Sequence, residues 1–217
     1  MSTKRPWDGP EAKRAFDLIV ASLGLLALWP IVLTAWIAAT ASTGENGWFV
    51  QRRVGRDGRT FDVYKLRTMR SPPGGGTTVT ARGDARITPV GARLRAWKLD
   101  ELPQLVNVVK GDMSFVGPRP DVPGFADALE GEAREILRVR PGITSPATLK
   151  YRDEESILAN RSDPETYNAE VIFPDKVRMN LAYVRTRTFM GDLRILVDTV
   201  LGRSLASEEG DPVGPTP

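Results

Sequence analysis

The first feature of the chain is a long run of apolar residues close to its start. From Phe16 to Ala41 the sequence FDLIVASLGLLALWPIVLTAWIAATA carries a single charged residue, Asp17. A helix of this length would reach roughly 39 Å at ~1.5 Å per residue, which is enough to cross a hydrocarbon core of about 30 Å. The hydrophobic pattern therefore predicts a membrane helix.

Two features favour a helix that enters the membrane and leaves by the same face. Pro30 lies in the middle of the run, where a proline removes a backbone hydrogen bond, so we expect a kink or a reversal of the helix there. Basic residues flank both ends, Lys13 and Arg14 before the run and Arg52 and Arg53 after it, and positive charge marks the cytoplasmic side. A re-entrant segment is favoured, and a spanning helix with a tolerated proline kink remains the alternative.

The next pattern is that of a β-hairpin. In the sequence WFVQRRVGRDGRTFDVYKLRTM, residues 48–69, two stretches of aromatic and β-branched residues flank the pair Asp57-Gly58. We expect four basic residues to gather on this ribbon: Arg52, Arg53, Lys65 and Arg67. They are either solvated edge charges or the cations of a phosphate site.

Beyond the hairpin the pattern predicts a loop and two short helices. Residues 71–86, SPPGGGTTVTARGDAR, predict a linker or an active-site lid, because no Gly-Lys-Ser/Thr follows the glycines to form a phosphate-binding loop. Helical spacing begins at about Val90. A second helix is predicted over LPQLVNVVKG, with Pro103 in its first turn and Lys110 and Gly111 at its end.

The C-terminal third has helical spacing and then turns polar. Its spaced apolar residues are Leu181, Val184, Leu193, Leu196 and Val200. They predict a core-facing helix or, alternatively, an amphipathic membrane-surface helix. The acidic, proline-rich tail after Ser204 is typical of disorder. The whole pattern predicts an α+β fold, mainly helical, with an N-terminal membrane segment at 1–46, a main domain at 47–203 and a tail at 204–217.

Composition excludes several kinds of chemistry. The 217 residues include no cysteine and no histidine, so the chain has no disulfide, thiolate nucleophile, Ser-His-Asp triad or imidazole metal ligand. Its chemistry has to use carboxylates, lysine, arginine, hydroxyls and a hard cation. The net charge of +3 favours an anionic partner, such as membrane lipid, nucleic acid or a phosphorylated substrate.

The strongest chemical signal is a pair of adjacent carboxylates, Asp100 and Glu101, before the second short helix. The helix dipole and free N–H groups stabilise negative charge there, so we expect both acids to be ionised at neutral pH. Helix capping alone would explain an isolated acid. However, Arg95, Lys98 and Arg119 are close in sequence, and an aspartate beside cations and a metal ion is suited to attack on phosphorus. Mg²⁺ is the expected cation, because it prefers oxygen ligands and phosphates.

Arg119 is held between Pro118 and Pro120 in the sequence SFVGPRP. The two proline rings restrict the backbone on both sides of the arginine. Such rigidity would direct the guanidinium at a phosphate or at the edge of a uracil ring. An ordinary surface turn would have the same sequence.

Together, QRRVGRDGRTFDVYKLRTM, LRAWKLDELPQLVNVVKGDMSFVGPRP and RVRPGIT, after an apolar segment with a central proline, resemble the bacterial sugar transferase family of monotopic phosphoglycosyl transferases. The resemblance extends from about Lys13 to Thr199. It implies that a sugar 1-phosphate moves from a UDP-sugar to polyprenol phosphate, normally undecaprenyl phosphate, with release of UMP. It also implies a monotopic enzyme on the cytoplasmic face of the bacterial inner membrane, which initiates the assembly of a glycan such as an exopolysaccharide.

The resemblance assigns roles to single residues. Asp100 is implied to attack the β-phosphate and to carry the phosphosugar, with Glu101 as its partner and Mg²⁺ bound at the pair, while Pro30 matches the family's break in the re-entrant helix. The residues we assign to substrate binding are Lys65, Arg67, Arg95, Gln104, Pro118, Arg119 and Arg140. Many members continue after PGIT with Gly-Trp, whereas this chain has Ser145-Pro146-Ala147-Thr148, so the identity of the sugar stays open.

Two other functions fit parts of the sequence. A nucleic-acid-binding protein would explain the basic charge, but the long apolar run and the lack of a recognition helix oppose it, and we expect no nucleic acid partner. A membrane-anchored scaffold without catalysis would explain the apolar run and leave the two carboxylates as a helix cap. Homo-oligomerisation is a further partner option that the sequence leaves open.

Overall fold

The computed structural model of the chain describes residues 9–71 and 84–204. The N-terminal basic residues Lys4 and Arg5, most of the predicted loop at 71–86 and the predicted disordered tail after Ser204 lie outside the described residues. Within the described ranges helices dominate, and four short strands form two small sheets. This confirms a mixed fold that is mainly helical.

Helix α1, Pro10–Thr43, is one continuous helix of 34 residues. It ends at Gly44, whose left-handed φ of 75° is typical of the residue after a helix. Pro30 lies inside the helix, so the chain does not reverse direction at this residue, and the predicted kink stays a prediction. A proline removes a single backbone donor, and the Thr34 hydroxyl bridges the next turn, 3.0 Å from the carbonyl oxygens of Pro30 and Ile31. The re-entrant path through a membrane stays a prediction.

One side of α1 packs against the rest of the chain from one end of the helix to the other. Near its start, the Arg14 guanidinium donates to the carbonyl oxygens of Val108 and Val109, at 2.6 and 2.9 Å. Near its end, the hydroxyls of Ser42 and Thr88 lie 3.1 Å apart. Between these points six residues of α1 pack in two core clusters: Ala21, Leu25, Leu28, Ala35, Trp36 and Ala39. Their partners include Leu94, Leu105 and Val108.

The other side of α1 is apolar and exposed. Its exposed side chains are Leu18, Ile19, Val20, Leu23, Leu26, Trp29, Ile31, Leu33 and Ile37. Such a contiguous apolar surface marks contact with a membrane or with another protein. Among the described residues, α1 is the helix whose length and composition would allow it to cross a membrane.

Strands β1, Trp48–Val54, and β2, Thr60–Leu66, form the predicted antiparallel hairpin. In the turn, Asp57 and Gly58 adopt positive φ angles of 59° and 78°. Aspartate and glycine are among the residues that tolerate this conformation best, which is why the pair gives a strong hairpin signal. The hairpin prediction is confirmed.

The two predicted short helices are also confirmed, as α2, Pro89–Ala96, and α3, Gln104–Lys110. A Cβ at Gly91 would lie 2.0 Å from the carbonyl oxygen of Thr68, so only glycine lets α2 approach the chain just after β2 this closely. At the other end, Gly111 follows α3 with a φ of 91°. The segment that carries both carboxylates joins the end of α2 to the start of α3.

A second sheet, which the sequence does not predict, consists of β3, Ser114–Val116, and β4, Gly142–Thr144, in parallel. The two chains cross closely after β3, since a Cβ on Gly142 would lie 2.1 Å from the backbone nitrogen of Gly117. The N–H of Gly142 also donates to the carbonyl oxygen of Pro118 at 2.9 Å. These contacts fix the start of the segment that carries Arg119.

The C-terminal part is helical. It consists of α4, Pro146–Lys150; α5, Glu154–Ala159; α6, Pro164–Tyr167; a π-helical turn, Asn168–Ile172; α7, Phe173–Thr186; and α8, Phe189–Val200. The apolar spacing read from the sequence thus covers two helices, separated where Thr188 caps α8. Leu181 of α7 packs against a core cluster, whereas α8 exposes Met190, Val197 and Val200.

Candidate active site

The two carboxylates lie on a 3-10 helical turn, Leu99–Glu101, between α2 and α3. Lys98 starts this turn with a left-handed φ of 55°, a conformation that costs a residue with a Cβ about 1–2 kcal/mol. Within the described residues, neither Asp100 nor Glu101 caps α3 by a side-chain hydrogen bond. The capping explanation therefore has no support in the structure.

Glu101 is held by two cations. Arg119 donates to both of its carboxylate oxygens, and the Lys65 ammonium lies 3.9 Å from one of them. Burial by itself would raise the pKa of Glu101, but Arg119 and Lys65 outweigh it and lower the pKa to about 2. Glu101 is therefore ionised at neutral pH, as the sequence predicts, and it orients Arg119 and Lys65.

Asp100 has a different environment. Its Oδ1 is buried and has no hydrogen-bond partner among the described residues. Burial, together with the negative charge of Glu101, raises its pKa to about 6, although Lys65 and Arg95 act in the opposite direction. We expected the helix terminus to stabilise this charge, but α3 begins only at Gln104, so burial dominates. Asp100 remains mostly ionised at neutral pH, and no protein donor in the described chain binds its Oδ1.

Lys65 and Gln104 complete the immediate surroundings of the pair. Burial, with the charge of Arg119, lowers the pKa of Lys65 to about 8, and Glu101 partly compensates. Gln104 is 2% exposed, and its Nε2 has no hydrogen-bond partner in the described part of the chain. A buried donor without a partner is costly, so it is a candidate for contact with a bound group.

Of the other residues assigned to substrate binding, Arg95 is close to the carboxylates and Arg67 has partners elsewhere. The charge of Arg95 acts on Asp100, and Arg95 forms an ion pair with Glu155. Arg67 instead pairs with Glu45 at 3.1 Å. It lies over the ring of Phe49, 5.6 Å from its centre.

Arg140 and Pro118 also make contacts of their own. Arg140 donates to the carbonyl oxygen of Gly111 at 2.8 Å, at the far end of α3. Since α3 has seven residues, this end is about 10 Å along the helix axis from Gln104. The carbonyl oxygen of Pro118 accepts a hydrogen bond from the N–H of Gly142.

The structure separates the four basic residues of the hairpin and brings Arg53, which was not assigned to substrate binding, close to Arg119. Arg53 shares a face of the hairpin with Lys65, whereas Arg52 points to the opposite face, so the four basic residues do not form one group. Arg53 donates to the carbonyl oxygen of Pro120 at 3.2 Å, and burial, with the charge of Arg119, lowers its pKa to about 10. Successive side chains of a strand point to opposite faces, and this alternation is the signal in the sequence that distinguishes Arg52 from Arg53.

The site offers few protein ligands for a metal ion. Within the described residues, no group of three or more acidic side chains is arranged to hold a metal. Asp100, however, has a carboxylate whose Oδ1 has no partner in the described chain, so the group is not committed to a protein donor through that atom, and its second oxygen, Oδ2, can bind a metal ion while Oδ1 reacts. Mg²⁺ is commonly held by one or two carboxylates together with substrate phosphates. Glu101 would have to give up a contact to Arg119 in order to bind the ion directly, so Asp100 is the better ligand.

Comparison with known proteins identifies the family. Residues 10–204 match the family described as bacterial sugar transferase. An exopolysaccharide production protein ExoY of Sinorhizobium fredii (strain NBRC 101917 / NGR234) is 33% identical over 208 residues, covering 88% of this chain and 85% of the relative. A UDP-glucose:undecaprenyl-phosphate glucose-1-phosphate transferase of Caulobacter vibrioides (strain ATCC 19089 / CIP 103742 / CB 15) is 34% identical, covering 87% of this chain and 68% of the relative. An undecaprenyl-phosphate glucose phosphotransferase of Komagataeibacter xylinus is 36% identical, covering 89% of this chain and 36% of the relative. The predicted resemblance is confirmed, and the chain belongs to the bacterial sugar transferase family.

Proposed function

We propose that the protein transfers a sugar 1-phosphate from a UDP-sugar to undecaprenyl phosphate, with release of UMP, through a covalent intermediate on Asp100. The observation that carries this proposal is the buried Oδ1 of Asp100, which has no partner in the described residues and lies beside Glu101, Lys65 and Arg119. The names of the relatives support the reaction class, since two of them act on undecaprenyl phosphate.

In the first step, Asp100 Oδ1 forms a bond to the β-phosphorus of the donor. The bond from this phosphorus to the oxygen that bridges to the α-phosphate breaks, and its electron pair leaves with UMP. Lys65 and Arg119, oriented by Glu101, neutralise the charge that develops on the phosphoryl oxygens. The Nε2 of Gln104 is a further donor for these oxygens, because it is buried and has no protein partner in the described chain.

In the second step, an oxygen of undecaprenyl phosphate attacks the same phosphorus. The bond between phosphorus and Asp100 breaks, which restores the carboxylate and releases the sugar linked to the lipid through a diphosphate. Mg²⁺, held by Asp100 and the substrate phosphates, would supply further neutralisation of negative charge. The transfer thus consists of two successive displacements at the same phosphorus, with Asp100 as the nucleophile of the first, which is covalent catalysis.

We also infer that α1 does not cross the membrane. The contacts of α1 with the rest of the chain extend from Arg14 to Ser42, which is about 42 Å of helix. This exceeds the thickness of a hydrocarbon core, about 30 Å, so a spanning α1 would carry the polar domain into the lipid. Both ends of α1 therefore lie on the cytoplasmic face of the bacterial inner membrane, with the exposed apolar sides of α1 and α8 against the lipid.

The topology has a direct test, because the chain contains no cysteine. Single substitutions Glu11→Cys and Glu45→Cys place a thiol before and after the apolar run. An impermeant maleimide should label both positions in inside-out membrane vesicles and neither in spheroplasts. Labelling of one position from each side would show that α1 spans the membrane.

The reaction is tested by isotope exchange. The purified protein in detergent, incubated with a UDP-sugar and labelled UMP but no lipid acceptor, should incorporate label into the donor. Asp100→Asn should abolish the exchange, whereas Asp112→Asn, a charge-matched control at the far end of α3, should retain it. Exchange that persists in Asp100→Asn, or a phosphosugar trapped on another side chain, would refute the role of Asp100.

A further inference from the structure

Two arginines from distant parts of the chain, Arg14 and Arg140, meet at the C-terminal end of α3. The Arg14 guanidinium donates to the carbonyl oxygens of Val108 and Val109, and the Nε of Arg140 donates to that of Gly111 at 2.8 Å. A Cβ on Gly111 would lie 3.4 Å from the Nη2 of Arg14, so both side chains border this one residue. The arginine pair is therefore at the opposite end of α3 from the two carboxylates.

Both arginines start from rigid backbone. Arg14 is in the second turn of α1. Arg140 directly precedes Pro141, whose carbonyl oxygen accepts from the N–H of Ser114 at 2.8 Å. A Cβ on Gly117 would lie 2.4 Å from the carbonyl oxygen of Arg140, so the chain around Arg140 is packed closely against the end of β3. The two guanidinium groups are thus brought together by the fold and do not depend on a loose surface turn.

The arginine pair has no acidic partner. Within the described residues neither Arg14 nor Arg140 forms an ion pair, and Asp112, the acid next to Gly111, pairs with Lys110 at 3.6 Å. The Nη1 and Nη2 of Arg140 form no hydrogen bond in this part of the chain, and neither atom is buried. A ligand can therefore reach these two donor groups.

The charges around the pair favour an anion. The C-terminal end of a helix carries about half a negative charge, which is less than the charge of one guanidinium. Burial lowers the pKa of Arg140, and the charges of Arg14 and Arg56 lower it further, as expected for cations that repel one another. Asp17 acts in the opposite direction, but its carboxylate is buried and accepts from the N–H of Phe115. An anion bound to the arginine pair would relieve the repulsion.

The place of the pair on the molecule indicates which anion this is. The exposed apolar side of α1 begins at Leu18, four residues after Arg14, which is about 6 Å along the helix axis. Lipid that covers this side has its headgroups at the edge of the apolar surface, next to the pair. The phosphate of a headgroup is a strong acceptor for guanidinium groups. A zwitterionic headgroup also brings a cation, which the arginines repel, whereas an anionic headgroup does not.

We propose that Arg14 and Arg140 bind the phosphate of an anionic phospholipid headgroup at the start of α1; this inference rests on the membrane placement of α1 in the proposed function. The bound lipid is not the acceptor that reacts at Asp100, because the length of α3, about 10 Å, separates the arginine pair from Gln104. Its effect is to hold the start of α1 and the end of α3 together at the lipid surface.

The test measures how lipids shift the thermal midpoint of the full chain in nonionic detergent, without substrate. The probes are dihexanoylphosphatidylglycerol, which is anionic, dihexanoylphosphatidylcholine, which is zwitterionic, inorganic phosphate and undecaprenyl phosphate. Wild type should unfold at a higher temperature with the phosphatidylglycerol than with the phosphatidylcholine or inorganic phosphate, because a ligand that binds the folded state stabilises it.

The variants are compared by the shift that each lipid causes, so a change in their own stability does not affect the result. We expect Arg140→Gln to bind the phosphatidylglycerol about fivefold more weakly, the effect of one basic residue near an anionic lipid surface. Arg140→Lys, which keeps the charge but has a single donor group, should retain part of the shift. Arg138→Gln removes an exposed arginine two residues away and should match wild type.

Three results would overturn the inference. An equal shift of wild type with phosphatidylcholine or inorganic phosphate would show that the pair does not select an anionic lipid. A phosphatidylglycerol shift that is the same in wild type and both Arg140 variants would place the lipid elsewhere. A shift that depends on Arg140 with undecaprenyl phosphate, but not with phosphatidylglycerol, would make the pair part of the acceptor site. Failure of wild type to exchange UMP would instead contradict the proposed function, and the lipid shifts, which need no turnover, would still be measurable.

Discussion

Neutralising Asp100 and neutralising Glu101 should change the stability of the protein in opposite directions, although the two carboxylates are adjacent. The pKa of Asp100 is raised from 3.8 to about 6, which at 1.36 kcal/mol per unit is a cost of about 3 kcal/mol to the folded state at neutral pH. The pKa of Glu101 is lowered from 4.5 to about 2, a contribution of similar size and opposite sign. Asp100→Asn should therefore stabilise the protein, and Glu101→Gln should destabilise it.

The two effects also differ in their pH dependence. The folded form of wild type takes up a proton at Asp100 below about pH 6, which relieves the cost, so the gain from Asp100→Asn should shrink between pH 7.5 and pH 5. The stability supplied by Glu101 is lost only as the pH falls from about 4.5 towards 2, so the deficit of Glu101→Gln should be the same at pH 7.5 and pH 5. In Asp100→Asn the amide at position 100 still has no hydrogen-bond partner, which reduces the expected gain in the free energy of unfolding to about 1–3 kcal/mol.

The measurement is thermal unfolding in detergent with EDTA, followed by tryptophan fluorescence at pH 7.5 and pH 5. For a chain of this size the midpoint should rise by roughly 3–10 °C for Asp100→Asn and fall by a similar amount for Glu101→Gln at pH 7.5. Asp112→Asn controls for the loss of one surface charge. A midpoint for Asp100→Asn below that of wild type, or a gain that is equal at both pH values, would refute the assignment of the two environments.

Three further predictions concern turnover. The rate of UMP exchange should decline below about pH 6, as Asp100 becomes protonated, and above about pH 8, as Lys65 loses its charge, so a flat profile between pH 5 and 9 would contradict these roles. Removal of Mg²⁺ with EDTA should abolish UMP release without changing the circular dichroism spectrum, and added Mg²⁺ should restore it. Gln104→Leu should unfold at the same or a higher temperature than wild type, because it removes a buried Nε2 that has no hydrogen-bond partner in the described chain. The variant should turn over at least about tenfold more slowly, and an unchanged kcat would show that the amide does not reach the substrate.

Elements with local signals could be predicted from the sequence. The hairpin follows from its Asp-Gly turn, α2 from the helical spacing that begins near Val90, and α3 from Pro103 and Gly111 at its ends. These residues determine the conformation of the backbone in their own neighbourhood, so the elements can be predicted from the local sequence. The parallel pairing of β3 and β4 has no such signal, because it joins short segments that lie far apart in the chain.

The candidate site could be predicted only in part, for the same reason. Proximity in sequence correctly predicts Arg119 beside the carboxylate pair. Arg140 is assigned from the motif RPGIT, and the fold places it at the far end of α3. Arg67 was assigned because it lies in a basic ribbon, whereas its partner Glu45 belongs to the turn after α1. The contact of Arg53 with Pro120 joins two distant segments, so no local signal in the sequence reveals it.

The way in which α1 packs has a consequence for handling the protein. Leu94, Leu105 and Val108 are buried partly by α1, so cutting the chain after Thr43 would expose the hydrophobic interior to water. In many membrane-attached enzymes the anchor is a tether that can be removed to leave a soluble catalytic fragment. Here the long apolar helix also covers part of the hydrophobic core, so a functional preparation has to include it, together with detergent or lipid to cover its exposed apolar side.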